Sequence, residues 1–128
     1  MKRILLPLTL AFLFSACAST TKISENLSPA EIIQRANEAM DRNRYSAAIQ
    51  YYEALHNRNQ SNIDLIITAE YHIAFIHYKQ RKYEQARRGL SAVLEYYNSP
   101  DQELLPQHYK RLSQIVLQTI DDKEKRRK

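Results

Sequence analysis

"RYSAAIQYYEAL" (44–55) and "KYEQARRGLSAVL" (82–94) are the two stretches that decide the fold. Laid over one another, they place Tyr45 on Tyr83, Ala48 on Ala86 and Tyr52 on Leu90, every pair at the same separation. Upstream, Ala36 and Ala74 keep that spacing too. Small and large residues that return at one fixed interval mark a repeated supersecondary unit. The residue types are those of helices: Ala, Leu, Gln, Glu, Lys and Arg are common, while Gly occurs once and Trp never.

Each unit has room for two helices. The first pair is expected over 29–42 and about 46–57, the second over about 62–80 and 84–97. The start of the first helix is sharply marked. Ser28, Pro29 and Glu31 supply an N-cap, a proline at the first helical position and an acid three places after the cap. That is a capping box, with Leu27 and Ile32 placed to form a hydrophobic staple across it. Asn98, Ser99 and Pro100 end the fourth helix. "DQELL" (101–105) suits a turn of helix, and "PQHYKRLSQIVLQTI" (106–120) then carries Tyr109, Leu112, Ile115, Val116 and Thr119 at helical spacing. This fifth helix is expected to cap the stack, with Ser113 near its small site.

The alternation of Ala36, Tyr45, Ala48 and Tyr52 with Ala74, Tyr83, Ala86 and Leu90 resembles the tetratricopeptide repeat (TPR), over roughly positions 29 to 121. Small residues in such a repeat let the two helices of a hairpin approach closely, and large ones fill the space between hairpins. The chain departs from the family pattern in its period, which is longer than the usual ~34, and in lacking a proline after the first unit. The resemblance implies an all-α, TPR-like helix-hairpin solenoid of two repeats plus a C-terminal capping helix, and a role in binding other proteins. It also implies where a partner would lie, because the first helices line the inner groove in that family. The positions that map there are Ile33, Asn37, Met40 and Asp41 in the first repeat, and Thr68, Tyr71, Phe75, Tyr78 and Lys79 in the second. Tyr71, Phe75 and Tyr78 recur at i, i+4 and i+7, so they share one helix face. Aromatic anchors suit a protein-binding groove; a short stack could equally bury the same stripe as core. A Lys–Asn clamp for a carboxylate is not supported, because Ile33 stands where the Lys would be.

The bend between the third and fourth helices, "YKQRKYEQARR" (78–88), is basic. Arg81, Lys82, Arg87 and Arg88 form a candidate patch there, fitting either a solvated turn or a dock for an acidic partner or anionic lipid headgroups. The overall charge of +5 is otherwise misleading. Loss of Lys2 and Arg3 with a leader lowers it to +3, and the closing "KEKRRK" carries +4. The body therefore stands at about −1, so no nucleic-acid partner is expected.

The N-terminus reads as an export signal. Lys2 and Arg3 precede an apolar run from Ile4 to Phe14, and small residues follow. The run is shorter than the ~20 residues a membrane span needs. The single cysteine, Cys17, closes "LFSAC" (13–17), which resembles the lipobox of bacterial lipoproteins, with Phe14 where Leu is usual. The resemblance implies cleavage before Cys17, acylation of its thiol, and anchoring to a membrane facing the periplasm, the outer one by the residues that follow. On this reading the chain divides into a signal peptide (1–16), the lipidated cysteine and a flexible tether (17–27), the helical domain (28–121) and a basic tail (122–128). The alternative is a soluble periplasmic ligand-binding or carrier protein cut after Ala18 at an A-x-A site.

Catalytic chemistry finds no motif. His72 and His77 are five apart and do not share a face as an i, i+4 metal pair would. No phosphate-binding glycine loop and no second cysteine occur. The expectation is a non-enzymatic interaction scaffold of a bacterial envelope complex, without metal or cofactor, with a protein partner and possible homo-oligomers.

Overall fold

The computed structural model describes residues 20–127, so the leader and Cys17 lie outside the described residues. Five α-helices follow in order: α1 (Pro29–Asp41), α2 (Tyr45–Arg58), α3 (Ile63–Lys79), α4 (Tyr83–Glu95) and α5 (Gln107–Lys125). Short 3-10 turns at Tyr96–Asn98 and Gln102–Leu104 join α4 to α5. The described residues contain no strand. The fold is all-α.

The capping box forms as read. The Ser28 backbone N–H donates to Glu31 Oε2 at 2.9 Å, and the Glu31 N–H donates to Ser28 Oγ. The Ser28 backbone N–H, and after it the Ser28 hydroxyl that donates to the same Glu31 oxygen at 2.7 Å, hold the Glu31 carboxyl below its ordinary range. Leu27 and Ile32 both join the core of the first hairpin. Asn62 caps α3 by accepting from the Leu65 N–H at 3.2 Å.

The two hairpins turn in the same way. In the first, the Arg44 N–H donates to the Ala39 carbonyl at 2.8 Å and the Asn43 N–H to the Met40 carbonyl at 2.9 Å. In the second, Lys82 donates to His77 at 2.9 Å and Arg81 to Tyr78 at 2.9 Å. Both are paired 6→1 and 5→2 bonds, the Schellman arrangement that ends a helix on a left-handed residue. Those residues are Asn43 at φ 55° and Arg81 at φ 61°. The period of the sequence is therefore a period of backbone conformation as well.

Helix α3 joins two cores. Ala69 and Ile76 belong with Ile32, Ala36, Ala48, Tyr52 and Leu55 of the first hairpin. Ile67, Tyr71 and Ala74 belong with Ala86, Leu90 and Val93 of α4 and with Tyr109, Val116 and Ile120 of α5. All four repeated alanines are buried. Gly89 marks the closest approach: a Cβ built there would stand 2.7 Å from the Cβ of Ala74. A bulkier residue at that point would force α3 and α4 apart.

Two expectations change. The tether is not wholly free, because the Thr21 N–H donates to Gln50 at 2.7 Å and Arg58 donates to the carbonyls of Ser24 and Ile23. The basic tail is not a separate segment either; α5 runs on through Lys125. Its acids explain why: Arg87 donates to Asp121 at 2.6 Å and to Glu124 at 2.8 Å, tying the last turns of α5 to α4. Tyr97, which lies beyond the regular part of α4, is buried because the 3-10 turn swings it inward. Its hydroxyl donates to the Pro106 carbonyl at 2.7 Å.

Candidate functional site

The aromatic stripe of α3 lies at the centre of a ladder of rings. Tyr71 is core, at 5% exposure. Its ring stacks with Phe75 at 6.0 Å and meets Tyr109 of α5 at 5.0 Å. Phe75 stacks with Tyr78 at 5.8 Å, and Tyr78 meets Tyr83 at 6.1 Å. Burial pushes the Tyr71 hydroxyl pKa up to about 12, with the Tyr109 phenol adding to the shift. Tyr71 is thus no open anchor: α5 folds over it, which the sequence shows only as an amphipathic stripe with no stated direction. Phe75 and Tyr78 stay half-buried at the rim of the same cluster, and Lys79 reaches over the Phe75 ring at 6.0 Å.

The other groove positions divide by exposure. Asn37, Asp41 and Lys79 are exposed, whereas Ile33 and Met40 are half-buried against the first hairpin. The Thr68 hydroxyl donates to the Asp64 carbonyl of its own helix at 2.7 Å. Asn37 has a structural task, since its Oδ1 accepts from the Tyr52 hydroxyl at 2.7 Å. That bond satisfies the only polar atom of a fully buried tyrosine side chain. The Tyr52 ring in turn meets His72 at 4.7 Å, and His72 meets Tyr109 edge-on at 5.8 Å. Rings from α2, α3 and α5 therefore converge on His72. Burial lowers its pKa to about 4, and the charge of His108 acts in the same direction.

Two clefts occupy the same place in the two hairpins. The first, of about 530 Å³, has Arg35, Ala39, Ala47 and Tyr51 among its walls. The second, of about 370 Å³, has Ile73, His77, Gln85 and Gly89 at the corresponding positions of the second unit. The repeat thus builds one recess twice and changes its lining, from arginine-rich to more apolar. Thr21 reaches the first cleft, alongside Arg42 and Arg44.

The basic patch is composed differently from the expectation. Arg87 is held by Asp121 and Glu124, and Arg88 pairs with Glu84 at 3.2 Å. Neither presents a free charge at the bend. Arg81 instead lines a recess of about 250 Å³ with Tyr83, Lys123, Arg126 and Arg127. The Arg127 guanidinium lies 5.9 Å over the Tyr83 ring. Lys82 is exposed beside them. Linear order hides this cluster, because Arg81 and Lys123 stand far apart in the chain; the clue was the acid pair Asp121 and Glu124 on one face of α5, matched to a basic bend.

Among the described residues no group of three or more His, Cys, Asp or Glu side chains could hold a metal, and no helix is long and apolar enough to cross a membrane. The chain is 31% identical over 112 residues to an uncharacterized protein of Treponema pallidum (strain Nichols). The match takes in 85% of this chain and 45% of that protein, so the chain spans a little under half the length of the relative. No family model and no solved structure matches it.

Proposed function

We propose that this chain is a lipid-anchored scaffold of a bacterial envelope complex that binds a partner protein through tetratricopeptide-like helical hairpins. The observation that carries the reading is the repetition of one hairpin at a fixed interval, down to the left-handed turn residue and its two hydrogen bonds. Stacked hairpins present rows of side chains from successive helices along one face, which suits an extended or helical segment of another protein. Asn37, Asp41 and Lys79 on that face are exposed, and Phe75 and Tyr78 offer partly open aromatic surface beside them. Cys17 supplies the anchor, as the lipobox resemblance implies, with the outer membrane as its site.

Photo-crosslinking residues placed in cells at Asp41, Phe75 and Lys79 test the binding face. They should give one discrete crosslinked product, while the same residue at the exposed positions Glu53 and Ser91 of α2 and α4 should give none. Equal products from both sets would remove the face from consideration. The anchor is tested by Cys17→Ser, which should release the protein from membranes washed in high salt. A wild-type mature form that is freely soluble and starts at Ser19 would favour the carrier reading instead.

A further inference from the structure

The five helices alternate in direction, so the loops gather at two ends. Antiparallel pairing of α2 with α3 shows in the His56–Glu70 contact at 3.2 Å and the Tyr52–His72 ring pair. It brings the α1–α2 turn to the same end as the α3–α4 bend. The Arg87 bonds to Asp121 and Glu124 bring the end of α5 there too. This end carries Arg42, Arg44, Arg81, Lys82, Arg126 and Arg127, all exposed. Among the described residues none of the six is in an ion pair; Glu84, Asp121 and Glu124 are engaged by Arg88 and Arg87, and Asp41 and Asp122 offset only part of the positive charge at this end. The opposite end holds Glu31, Asp64, Asp101 and Glu103 at the start of α1 and in or beside the two other joins, and these outnumber Arg58 and Lys110 there. The bundle is thus electrically polarised along its axis.

The described start of the chain runs toward the cationic end. Arg58 holds the carbonyls of Ile23 and Ser24 at the far end of α2. Thr21 then lies against Gln50, partway back along that helix, and in the cleft with Arg42 and Arg44. The chain therefore runs back along α2 toward the turn. Gln50 stands about 8 Å along the axis from Tyr45, the start of α2, at the helical rise. Three further peptide units separate Thr20 from Cys17, a reach of about 11 Å at most.

We infer that the cationic end of the bundle is a docking surface for anionic phospholipid headgroups, which holds the domain end-on against the membrane that anchors it. This inference rests on the acylation of Cys17 proposed above for its geometry, but not for its chemistry. The acyl group then tethers the domain, and the basic surface adds an electrostatic attraction that fixes which end of the bundle faces the bilayer. The Arg81, Lys123, Arg126 and Arg127 recess takes a headgroup phosphate, and the flanking arginines add diffuse attraction. The end-on pose leaves the sides of the stack, where Asn37 and Phe75 lie, open to a partner.

The test uses the full chain, purified from a bacterial host with any acyl group in place. Its sedimentation is measured with phosphatidylcholine vesicles and with phosphatidylcholine–phosphatidylglycerol vesicles. Binding to the neutral vesicles reports the anchor and should vanish in Cys17→Ser; the excess on anionic vesicles reports the cationic end. That excess should be about tenfold or more, since each basic group near such a surface multiplies binding several times, and raised salt should abolish it. The triple variant Arg81→Glu, Arg126→Glu, Arg127→Glu should lose the excess and keep the neutral binding. Arg111→Glu, an exposed charge away from that end, should keep both. Equal binding to the two vesicle types would overturn the proposal. So would a folded triple variant that retains the excess. A chain that ignores neutral vesicles yet binds anionic ones would contradict the anchor and uphold the docking surface.

Discussion

The two hairpins share a backbone and differ in what they place on it. Each turns on a left-handed residue, yet the first uses Asn43 and the second Arg81. Each has a large residue buried in its second helix, Tyr52 in α2 and Leu90 in α4. Tyr52 brings a hydroxyl that must be satisfied and is met by Asn37; Leu90 brings none. Tyr51 beside the first cleft becomes Gly89 beside the second, and there the helices close to a distance that admits no further carbon. The pairing of α1 with α2 is therefore filled by aromatic bulk, and that of α3 with α4 by close approach. A repeat period fixes where the chain turns; the side chains then choose between two ways of closing a hairpin.

Removing the bulk should be the more damaging test. Tyr52→Ala leaves a cavity among Ile32, Ala36 and Leu55, deprives His72 of a ring neighbour and removes the bond to Asn37. Losses of about 3–5 kcal/mol follow large aromatic truncations in cores. Urea unfolding should show it, and Tyr52→Phe should separate the hydroxyl's share, about 1 kcal/mol. A Tyr52→Ala variant within experimental error of wild type would contradict its place in the core.

Protonation of His72 tests the seam where the hairpins meet α5. Its pKa stands near 4 in the folded chain against 6.5 for an exposed imidazole. Below pH 6.5 the unfolded chain therefore binds a proton that the native site refuses, and stability falls as pH drops from 6.5 toward 4. Tyr52, Tyr71 and Tyr109 surround the ring, and His108 is the charge that adds to the penalty. The loss should reach roughly 2 kcal/mol across that window. His72→Gln should flatten the profile there relative to wild type, whatever its effect at neutral pH. Parallel profiles for the two proteins would show that another group carries the acid sensitivity.

The close approach is tested by adding one carbon. Gly89→Ala gains about 1 kcal/mol of helix propensity but collides with the Ala74 Cβ at 2.7 Å. Overpacking of this kind costs about 1–3 kcal/mol, so a net loss of about 1 kcal/mol is expected. Ala74→Gly introduced together with Gly89→Ala moves the carbon across the gap and should recover part of it. Additive losses in the double variant would mean that the two positions do not touch.

Sequence reading carried the repeat, the capping box and the four small sites, because each depends on residues close together in the chain or on a strict period. The packing of α5 was legible only as an apolar stripe. Which way Tyr71 and Tyr109 turn depends on where a helix distant in the chain comes to lie, and periodicity holds no such information. The aromatic stripe of α3 could thus be groove or core by sequence, and one ring, Tyr71, proved core while Phe75 and Tyr78 remained at the rim. That Arg87 and Arg88 of the basic patch are ion-paired was hidden for the same reason: their partners include Asp121 and Glu124, and charge along a chain does not show which cations find acids in space. The tether's bonds to Gln50 and Arg58 join distant segments without any pattern that could announce them.

The smallest expected effect has the opposite sign. A left-handed backbone costs an ordinary L-residue about 1–2 kcal/mol, and Asn bears it better than Arg. Glycine removes that cost, at the expense of about 0.5–1 kcal/mol of extra chain entropy in the unfolded state. Arg81→Gly should therefore stabilise the protein by about 0.5 kcal/mol. Asn43→Gly should not, because Asn already tolerates the conformation and its Oδ1 accepts from the Tyr45 hydroxyl at 2.9 Å. The two variants sit at the same point of the same turn, so the comparison cancels everything but the side chain. Unfolding midpoints measured in high salt also cancel the relief of crowding among Arg81, Lys123, Arg126 and Arg127. If Arg81→Gly is then no more stable than Asn43→Gly, the strain is not where the turn geometry places it. If it is more stable and also binds anionic vesicles less well, the arginine holds a strained position for its charge, and the second hairpin has given up stability that the first retains.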